Sequence, residues 1–286
     1  MIIVKLSGGL GNQMFEYAFA RALSFKYKQT LFLDKTVYKI KTKNTPRKYF
    51  LNFFCINSFS FVSRILSGMF VFLDLIYKIL FRRTFIIKEK LVYKFDDNLK
   101  IKKNGINYLY GYWQSYKYFE DFSEIILKDF IPKITWIGKL KEMDDKIISS
   151  NSISIHVRRG DYVGHQDHEV CNIEYYQKSI NFFQKSCVSP IFYVFSDGVD
   201  WVKDNLKFND ATVVFVSGNG FNEAEELILM SHCKHNIISN SSFSWWAAWL
   251  NKNFDKKVVA PKRWVNSMTP EAVEDLIPKN WIRELE

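Results

Sequence analysis

The clearest pattern along the chain is the alternation of short apolar runs with amphipathic stretches in its second half. Apolar runs of four to six residues predict strands, and apolar residues every three to four positions predict helices. The predicted strands lie at 153–157, 191–196, 212–216, 236–239 and 257–260, with helices at 173–187, 199–205, 223–233 and 242–251. Strands that alternate with helices indicate a parallel sheet covered on both faces.

The beginning of the chain predicts a similar strand, loop and helix. Residues 2–4 are apolar, residues 7–12 form a glycine-rich stretch, and residues 14–23 have helical apolar spacing with several alanines. A dinucleotide-binding fingerprint is disfavoured, because Met14 stands where its third glycine belongs. Residues 40–110 predict no clear order of elements, and residues 108–115 predict a strand that ends at a polar loop.

The segment 137–152 is rich in lysine, aspartate and serine and is the best candidate for a domain boundary. We therefore divide the chain of 286 residues into domains 1–150 and 151–286. The expected fold is α/β, with two Rossmann-like domains facing a central cleft.

Polar residues follow the predicted strands of the second domain. In parallel sheets, ligands bind beyond the carboxyl ends of the strands, so these residues predict a binding site. They are His156, Arg158, Ser196, Asp197, Ser217, Asn240, Ser241 and Ser242.

The Arg158-Arg159-Gly160-Asp161 segment has two interpretations. The planar guanidinium matches paired phosphate oxygens, which favours a diphosphate clamp. An internal ion pair within a turn explains the same residues. Ser241 and Ser242 likewise favour a helix N-terminus that holds the same phosphates, or simple caps on a helix whose tryptophans pack in the core.

Composition narrows the class of protein. The chain is 48% hydrophobic and carries a formal charge of +10, which indicates a globular protein with an anionic partner such as a nucleotide, a nucleic acid or an acidic membrane. Residues 59–81 are apolar but contain Arg64, Asp74 and Lys78, so we predict a core helical hairpin or an interfacial helix rather than a membrane span.

Cysteine and histidine spacing predicts free thiols and no metal site. Cys55, Cys171, Cys187 and Cys233 form no C-x-x-C pair, and the pairs His165/His168 and His232/His235 have no companion ligands. No signal peptide is recognised at the N-terminus, so a cytoplasmic protein is expected.

Five blocks in order along the chain resemble the bacterial α-1,2-fucosyltransferase family. They are residues 7–15 (SGGLGNQMF), 111–115 (GYWQS), 156–162 (HVRRGDY), 195–197 (FSD) and 240–246 (NSSFSWW). The His-x-Arg-Arg loop is also similar to that of α-1,6-fucosyltransferases and protein O-fucosyltransferases. The resemblance implies a GT-B fold and the donor GDP-β-L-fucose, with no metal or other cofactor.

The resemblance also implies roles for individual residues. Arg158 would grip the β-phosphate, His156 would lie near the nucleotide, and Glu226 would read the guanine edge, where relatives tend to have aspartate. The remaining implied donor-site residues are Gly11, Asn12, Arg159, Asp197, Asn240, Ser241, Ser242 and Phe243. Two positions depart from the family, which usually has Gln at the position of Glu16 and often Asp at that of Gly198.

Displacement of GDP from the anomeric carbon builds negative charge on the leaving phosphate, and Arg158 would stabilise it. Inversion also needs a base near the acceptor hydroxyl, for which Asp161, Asp167, His168 and Glu16 remain open. Asp161 is more simply interpreted as orienting an arginine through an ion pair. Our catalytic candidates are therefore Arg158, Asp161 and His168.

The predicted function is transfer of L-fucose from GDP-fucose to the 2-hydroxyl of a galactose-type residue in surface polysaccharide synthesis, such as O-antigen synthesis. The expected acceptor is a galactose-containing oligosaccharide, either free or linked to a lipid diphosphate at the inner face of the cytoplasmic membrane. Alternatives are a fucosyltransferase of α-1,6 or α-1,3 linkage, a non-catalytic nucleotide-sugar binder, and a basic nucleic-acid-binding protein.

Overall fold

The computed structural model describes residues 1–39, 48–61, 72–76, 79, 84–283 and 285. The chain divides into two compact units, Met1–Lys133 and Ile134–Glu286, which are described separately below. Each unit contains a five-stranded parallel sheet with helices, so the α/β prediction is confirmed.

The N-terminal unit is built on strands β1 (Ile2–Lys5), β2 (Leu31–Asp34), β3 (Phe59–Phe61), β4 (Ile86–Lys88) and β5 (Asn107–Tyr110), with helices α1 (Leu10–Tyr27) and α2 (Ser123–Asp129). The strand order is β3-β2-β1-β5-β4. The chain builds outward from β1 to β3 and then returns to the other side of β1. Loops that follow β1 and β5 therefore meet at a topological switch point, the usual ligand-binding place in such sheets.

Helix α1 is buried along most of its length, which explains its apolar sequence. Its side chains pack on β1 and β2, and the alanines at 18, 20 and 22 let the helix approach closely. The helix ends at Lys28, which takes the left-handed conformation (φ 52°) that commonly closes a helix.

The C-terminal unit contains strands β6 (Ser152–Val157), β7 (Ile191–Ser196), β8 (Thr212–Phe215), β9 (His235–Ile237) and β10 (Val258–Val259). Its helices are α3 (Gly138–Ile148), α4 (Ile173–Ser186), α5 (Val199–Asn205), α6 (Glu223–His232) and α7 (Ser242–Leu250). The order β10-β9-β6-β7-β8 puts the switch point between β6 and β9. Every element predicted from residue 153 onward is confirmed, with ends within two residues.

The boundary between the two units lies after residue 133, whereas the predicted domain boundary lies after residue 150. Residues 138–148 form helix α3, which belongs to the C-terminal unit, whereas the segment 137–152 was predicted to contain the domain boundary. Leu140, Asp144 and Ile147 lie on one buried face of the helix. The Asp144 carboxylate contacts Nδ1 of His232 on α6 at 2.6 Å, which ties α3 to the second sheet.

The apolar segment 59–81 was predicted as a core helical hairpin or an interfacial helix, and its described part begins instead with a strand. Residues 59–61 form the edge strand β3, residues 72–76 are helical, and 62–71, 77–78 and 80–81 lie outside the described residues. Asp74 is buried and accepts hydrogen bonds from the Thr84 hydroxyl (2.6 Å) and the Phe85 N–H (2.8 Å). Among the described residues, no helix combines the length and apolarity that crossing a bilayer requires.

Candidate active site

Arg158 lies one residue beyond β6, where two carboxylates hold its guanidinium. Nε and Nη2 donate to Oδ1 of Asp161 at 3.1 and 2.6 Å, and Nη1 contacts Oδ2 of Asp197 at 2.7 Å. Burial opposes the charged form, but Asp197 and Asp161 outweigh it and raise the pKa of Arg158. The side chain keeps 25% of its surface exposed, so a fixed, partly exposed cation lies at the carboxyl end of the central strand.

Asp197, the first residue beyond β7, connects both arginines. Its Oδ1 accepts the backbone N–H of Arg159 at 2.7 Å, while Oδ2 contacts Arg158. Gly160 leaves room for this carboxylate, because a Cβ at position 160 would lie 2.5 Å from Oδ2 of Asp197. Asp197 thus fixes the backbone and the side chain of the arginine loop together.

The Arg159 side chain contacts other partners than the Arg158 side chain does. Its guanidinium lies over the Trp201 ring, 4.3 Å from the ring centroid, and Nη1 donates to Glu169 at 3.2 Å. A Cβ at Gly198 would lie 3.0 Å from both Cβ and Cγ of Arg159. A side chain at position 198 would therefore meet the stem of Arg159.

His156 is buried at the end of β6 and joins it to the neighbouring strand. Its Nδ1 lies 2.8 Å from the Ser239 hydroxyl, and its ring lies 5.5 Å from the Phe243 ring. Burial, followed by the charge of Arg158, lowers the pKa of His156 to about 3. The imidazole is therefore neutral at physiological pH and contributes hydrogen bonding rather than charge.

Helix α7 begins at Ser242, three residues after the Ser239 that bonds His156. Ser241 is its N-cap, and its hydroxyl accepts the Phe243 N–H at 3.3 Å. The positive end of the helix dipole lies at this terminus, which favours an anion. Trp245 is fully buried and donates from its indole N–H to the Leu276 carbonyl at 2.9 Å, so the helix is firmly anchored in the core.

Asn240 connects the start of α7 to the loop that carries His168. Its Nδ2 donates to the carbonyls of His168 and Trp264, both at 2.9 Å, and Oδ1 accepts from the Cys171 thiol at 3.5 Å. All polar positions of this buried amide thus bond within the protein. Its contribution to ligand binding stays a prediction, whereas its part in holding the loop is direct.

His168 lies in a stack of aromatic rings after the arginine loop. Its ring is 5.0 Å from Tyr162 and 4.3 Å from His165, and the Tyr162 hydroxyl donates to the Asn240 carbonyl at 3.3 Å. Burial and the neighbouring His165 lower the pKa of His168. A neutral, half-buried imidazole is able to accept a proton near neutral pH.

Glu226 on α6 is linked to the same edge of the sheet. The Ser217 hydroxyl donates to Oε2 of Glu226 at 3.0 Å and accepts the Ser196 N–H at 3.0 Å. Burial raises the pKa of Glu226 to about 7, and the nearby Glu223 adds to the shift. The carboxyl group therefore changes its charge in the physiological range.

In the N-terminal unit, Asn12 lies at the switch point between β1 and β5. The Gln114 side-chain amide donates to Oδ1 of Asn12 at 2.7 Å, which fixes how the Asn12 amide is turned. Gly8 has a positive φ of 70°, and a Cβ there would lie 2.5 Å from Nδ2 of Asn12. Gly11 is buried in the first turn of α1.

Glu16 lies fully buried beneath the glycine loop. The Ser7 N–H and hydroxyl both hydrogen-bond its carboxyl group, at 2.8 and 2.6 Å. Burial raises the pKa of Glu16 well above its usual value, Glu89 adds to the increase, and Lys5 opposes it. Because this carboxyl is buried and engaged with Ser7, it supports the loop and is a poor candidate for the base.

We expect Glu16→Gln to stabilise the protein at neutral pH. Between the usual pKa of 4.5 and the higher folded pKa, the folded protein binds more protons than the unfolded chain, so stability falls as pH rises. Glutamine removes this loss and keeps a donor and an acceptor for Ser7. At pH 7 the Tm should rise by at least about 2–4 °C, the effect of ~1 kcal/mol at this size.

Thermal unfolding at a series of pH values measures this effect. The difference from the unmodified protein should shrink below about pH 4.5, where Glu16 is neutral in both states. The exposed Glu120→Gln is the matched control, with little change in Tm at any pH. A lower Tm for Glu16→Gln at pH 7 would contradict a neutral buried carboxyl.

Several residues of these clusters were not predicted as site residues. Ser239 and Tyr162 connect the β6 and β9 loops, and Gln114 orients Asn12. Glu89 holds the loop that carries Gln114. Gln114 belongs to the block 111–115 on which the resemblance rests, and that was its signal. Glu89 lies between two lysines, in a run that resembles a solvated surface.

Within the described residues, no group of three or more His, Cys, Asp and Glu side chains is arranged to hold a metal ion. The four cysteines, all of which are described, are free thiols.

The comparisons with known proteins agree with this geometry. Residues 1–284 match glycosyl transferase family 11. An α-1,2-colitosyltransferase of Escherichia coli is 32% identical over 299 residues, covering 99% of this chain and 98% of the relative. The Escherichia coli O-antigen biosynthesis glycosyltransferase WbnK is 34% identical and covers 91% and 93%. Galactoside α-(1,2)-fucosyltransferase 2 of Rattus norvegicus is 35% identical, but over only 35% of this chain and 30% of its own.

Solved structures support the fold. FUT1 of Arabidopsis thaliana, a mutant in complex with GDP, superposes with a TM-score of 0.52 at 13% identity, covering 97% of this chain and 75% of the other. The NodZ α-1,6-fucosyltransferase co-crystallised with GDP gives a TM-score of 0.50 at 12% identity and covers 86% and 91%. The α/β fold is thus that of GT-B fucosyltransferases, and the chain belongs to glycosyl transferase family 11.

Proposed function

We propose that this glycosyltransferase moves L-fucose from GDP-β-L-fucose to the 2-hydroxyl of a galactose-type residue, with inversion and without a metal. The observation that carries the proposal is the Arg158 guanidinium, held by Asp161 and Asp197 in a loop whose Tyr162 hydroxyl donates to the Asn240 carbonyl just before α7. This arrangement provides directed N–H donors where the carboxyl ends of β6 and β9 meet. Retained turnover in the presence of EDTA tests the metal-free part of the proposal.

The chemistry follows from where charge develops. As the bond between the anomeric carbon and the β-phosphate oxygen breaks, GDP gains negative charge, and a preorganised cation stabilises that state more than the bound substrate. Arg158 supplies this cation, and the α7 N-terminus adds the helix dipole. His156 is neutral and fixes the two loops through Ser239.

For the base, we propose His168 rather than Asp161. Asp161 accepts two N–H bonds from Arg158, which lowers its capacity to take a proton. His168 is neutral at physiological pH and lies on the loop that follows Arg158. The acidic limb of the pH profile of kcat should disappear in His168→Ala, and an unchanged limb would exclude this role.

Glu226 provides a pH test of the proposed contact with guanine. A carboxylate accepts N–H bonds from the guanine edge, so binding requires the ionised form of a group whose pKa is about 7. GDP affinity should therefore fall as pH decreases below 7, approaching about tenfold per pH unit. Calorimetric titration of GDP between pH 5.5 and 8 measures this dependence.

The Glu226→Gln variant separates this effect from other titrating groups. It should bind GDP more weakly at pH 8 and lose the pH dependence, because the amide does not titrate. The exposed Glu274→Gln should behave like the unmodified protein. The same pH slope in Glu226→Gln would remove this residue from guanine recognition.

The donor sugar has a second candidate, because one relative is named as a colitosyltransferase and matches nearly the full chain. Colitose differs from fucose by the absence of the 3-hydroxyl. Purified protein should be tested with GDP-fucose and GDP-colitose against β-galactosides, with GDP release and NMR of the product linkage as readouts. An α-1,6 or α-1,3 product would replace the proposed linkage, and donor binding without transfer to any acceptor would indicate a non-catalytic binder.

We also propose that the protein works in the cytoplasm at the inner face of the membrane, on a lipid-diphosphate-linked acceptor. The charge is unevenly distributed: residues 1–133 carry 23 Lys and Arg against 10 Asp and Glu, whereas residues 134–286 carry 17 against 20. A basic unit is attracted to anionic lipids. Cosedimentation with vesicles containing phosphatidylglycerol, but not with phosphatidylcholine vesicles, is expected at low salt, and equal recovery with both would contradict membrane contact.

A further inference from the structure

The half-buried side chain of Glu89 holds the loop that follows β5 through hydrogen bonds to its backbone. It follows β4, and its Oε2 and Oε1 accept the backbone N–H groups of Tyr112 (2.8 Å) and Trp113 (2.9 Å). The N–H of Gln114 also hydrogen-bonds this carboxylate. A single side chain therefore binds three successive backbone amides of one loop. Three N–H donors that point to one place need an anion or another strong acceptor.

The loop depends on this carboxylate for its conformation. Trp113 is fully buried with a φ of 55°, a left-handed conformation that costs a non-glycine residue about 1 kcal/mol or more. Gly111 lies against the same side chain, because a Cβ there would come within 2.3 Å of Cβ of Glu89. The contact with Glu89 and the three accepted hydrogen bonds together fix the path of residues 111–114.

The fixed loop in turn determines the orientation of Asn12. Gln114 follows Trp113, and its Nε2 donates to Oδ1 of Asn12 at 2.7 Å. On its other side, the Asn12 amide lies against Gly8, and the Gly8 carbonyl accepts from the Tyr38 hydroxyl at 3.1 Å. The Asn12 amide is therefore held between two loops, each with its own supports.

We propose that Glu89 is a positioning residue for the transfer reaction, which fixes residues 111–114 and, through Gln114, the orientation of the Asn12 amide. The inference rests on the proposed function, and on Asn12 as one of the donor-site residues that the resemblance implies. Catalysis is sensitive to small displacements of such groups, and a shift of about 1 Å is able to cost on the order of a hundredfold in rate.

A double-mutant cycle on the full-length protein tests this relay. Glu89→Gln replaces an acceptor oxygen by an NH₂ group that faces backbone donors, and Gln114→Leu removes only the bond to Asn12. Each variant should lower kcat for fucose transfer about tenfold or more. In the Asn12→Ala background, neither substitution should cause a further loss beyond about twofold, because the group it positions is already absent.

The results of the cycle distinguish the relay from independent effects of the two substitutions. Additive losses in the double variants, or full activity in Gln114→Leu, would overturn the relay. Gln114→Leu keeps the test valid if Glu89→Gln proves unstable, since it leaves the Glu89 carboxylate and its three hydrogen bonds in place. Glu120→Gln, an exposed acid of the same unit, is the matched control and should keep kcat and Tm unchanged.

Failure of the proposed function would look different from failure of the relay. Without the proposed activity, the unmodified protein would transfer no fucose from GDP-fucose to any β-galactoside. A failed relay leaves the unmodified protein active and shows only in the variants. Calorimetric GDP affinity adds a second readout, which should change less than threefold in Glu89→Gln if the residue acts through Asn12 on turnover.

Discussion

Replacing Arg158 with alanine is expected to lower kcat for sugar transfer by at least about a hundredfold, the loss typical for one preorganised donor at a developing charge. We expect an even larger loss of kcat because two carboxylates surround Arg158. Asp161 and Asp197 hold the guanidinium in place, so their carboxylates remain in the alanine variant without their cation. They would then repel the leaving diphosphate, which adds to the loss of stabilisation.

The measurement is GDP release and product formation under saturating donor. Arg158→Lys keeps the charge but has no planar fork to contact two carboxylates at once, so it should recover only part of the activity. Arg263→Ala, an exposed arginine of the same unit, should leave kcat unchanged. Near-normal turnover in Arg158→Ala would remove this residue from the mechanism.

The second-largest effect is expected for Asp197→Ala, at roughly tenfold to a hundredfold in kcat/KM. Asp197 holds the Arg159 backbone through one oxygen and the Arg158 guanidinium through the other, both at 2.7 Å. Its removal frees the loop and the side chain together. Initial rates at low donor concentration give kcat/KM directly.

Two further variants show whether the loss of activity is specific to Asp197. Asp161→Ala should have the smaller effect, because the Asp161 side chain is 50% exposed, whereas Asp197 bonds both the Arg159 backbone and the Arg158 guanidinium. Asp200→Ala is the matched control three residues further along, with a side chain that is 95% exposed. A larger loss in Asp161→Ala than in Asp197→Ala would reverse our ranking of the two carboxylates.

The C-terminal sheet and much of its candidate site could be predicted from the amino-acid sequence. Its strands are short apolar runs separated by helices, and parallel strands place their carboxyl ends at one edge. That rule alone brought Arg158, Asp197 and Ser241 together before any coordinates. Of the two interpretations of the arginine loop, the internal ion pair is present between Arg158 and Asp161, and the diphosphate clamp stays a prediction.

The N-terminal unit was harder to predict for physical reasons. Strands β3 and β4 are three residues long and pair with neighbours far along the chain, so local periodicity carries little signal. Glu89 acts through backbone amides more than twenty residues away, which no local pattern reveals. Helix α3 was missed because only a few of its side chains face the core, and its many charged residues resemble a linker.

Protonation states also lie beyond sequence patterns. The resemblance implies glutamine at the position of Glu16, and the chemical type of glutamate alone suggests an added charge. Burial raises the pKa of Glu16 well above its usual value, although its hydrogen bonds with Ser7 oppose the increase.

The ion pairs around the arginine loop also affect how a nucleotide reaches it. Arg158 and Arg159 face three carboxylates, those of Asp161, Asp197 and Glu169, so the loop has little net attraction for a distant anion. Long-range steering should therefore be weak, and the association rate constant for GDP should change little with ionic strength. Discrimination among anions would then depend on short-range fit to the guanidinium fork, which favours a diphosphate of the right shape over abundant cellular polyanions.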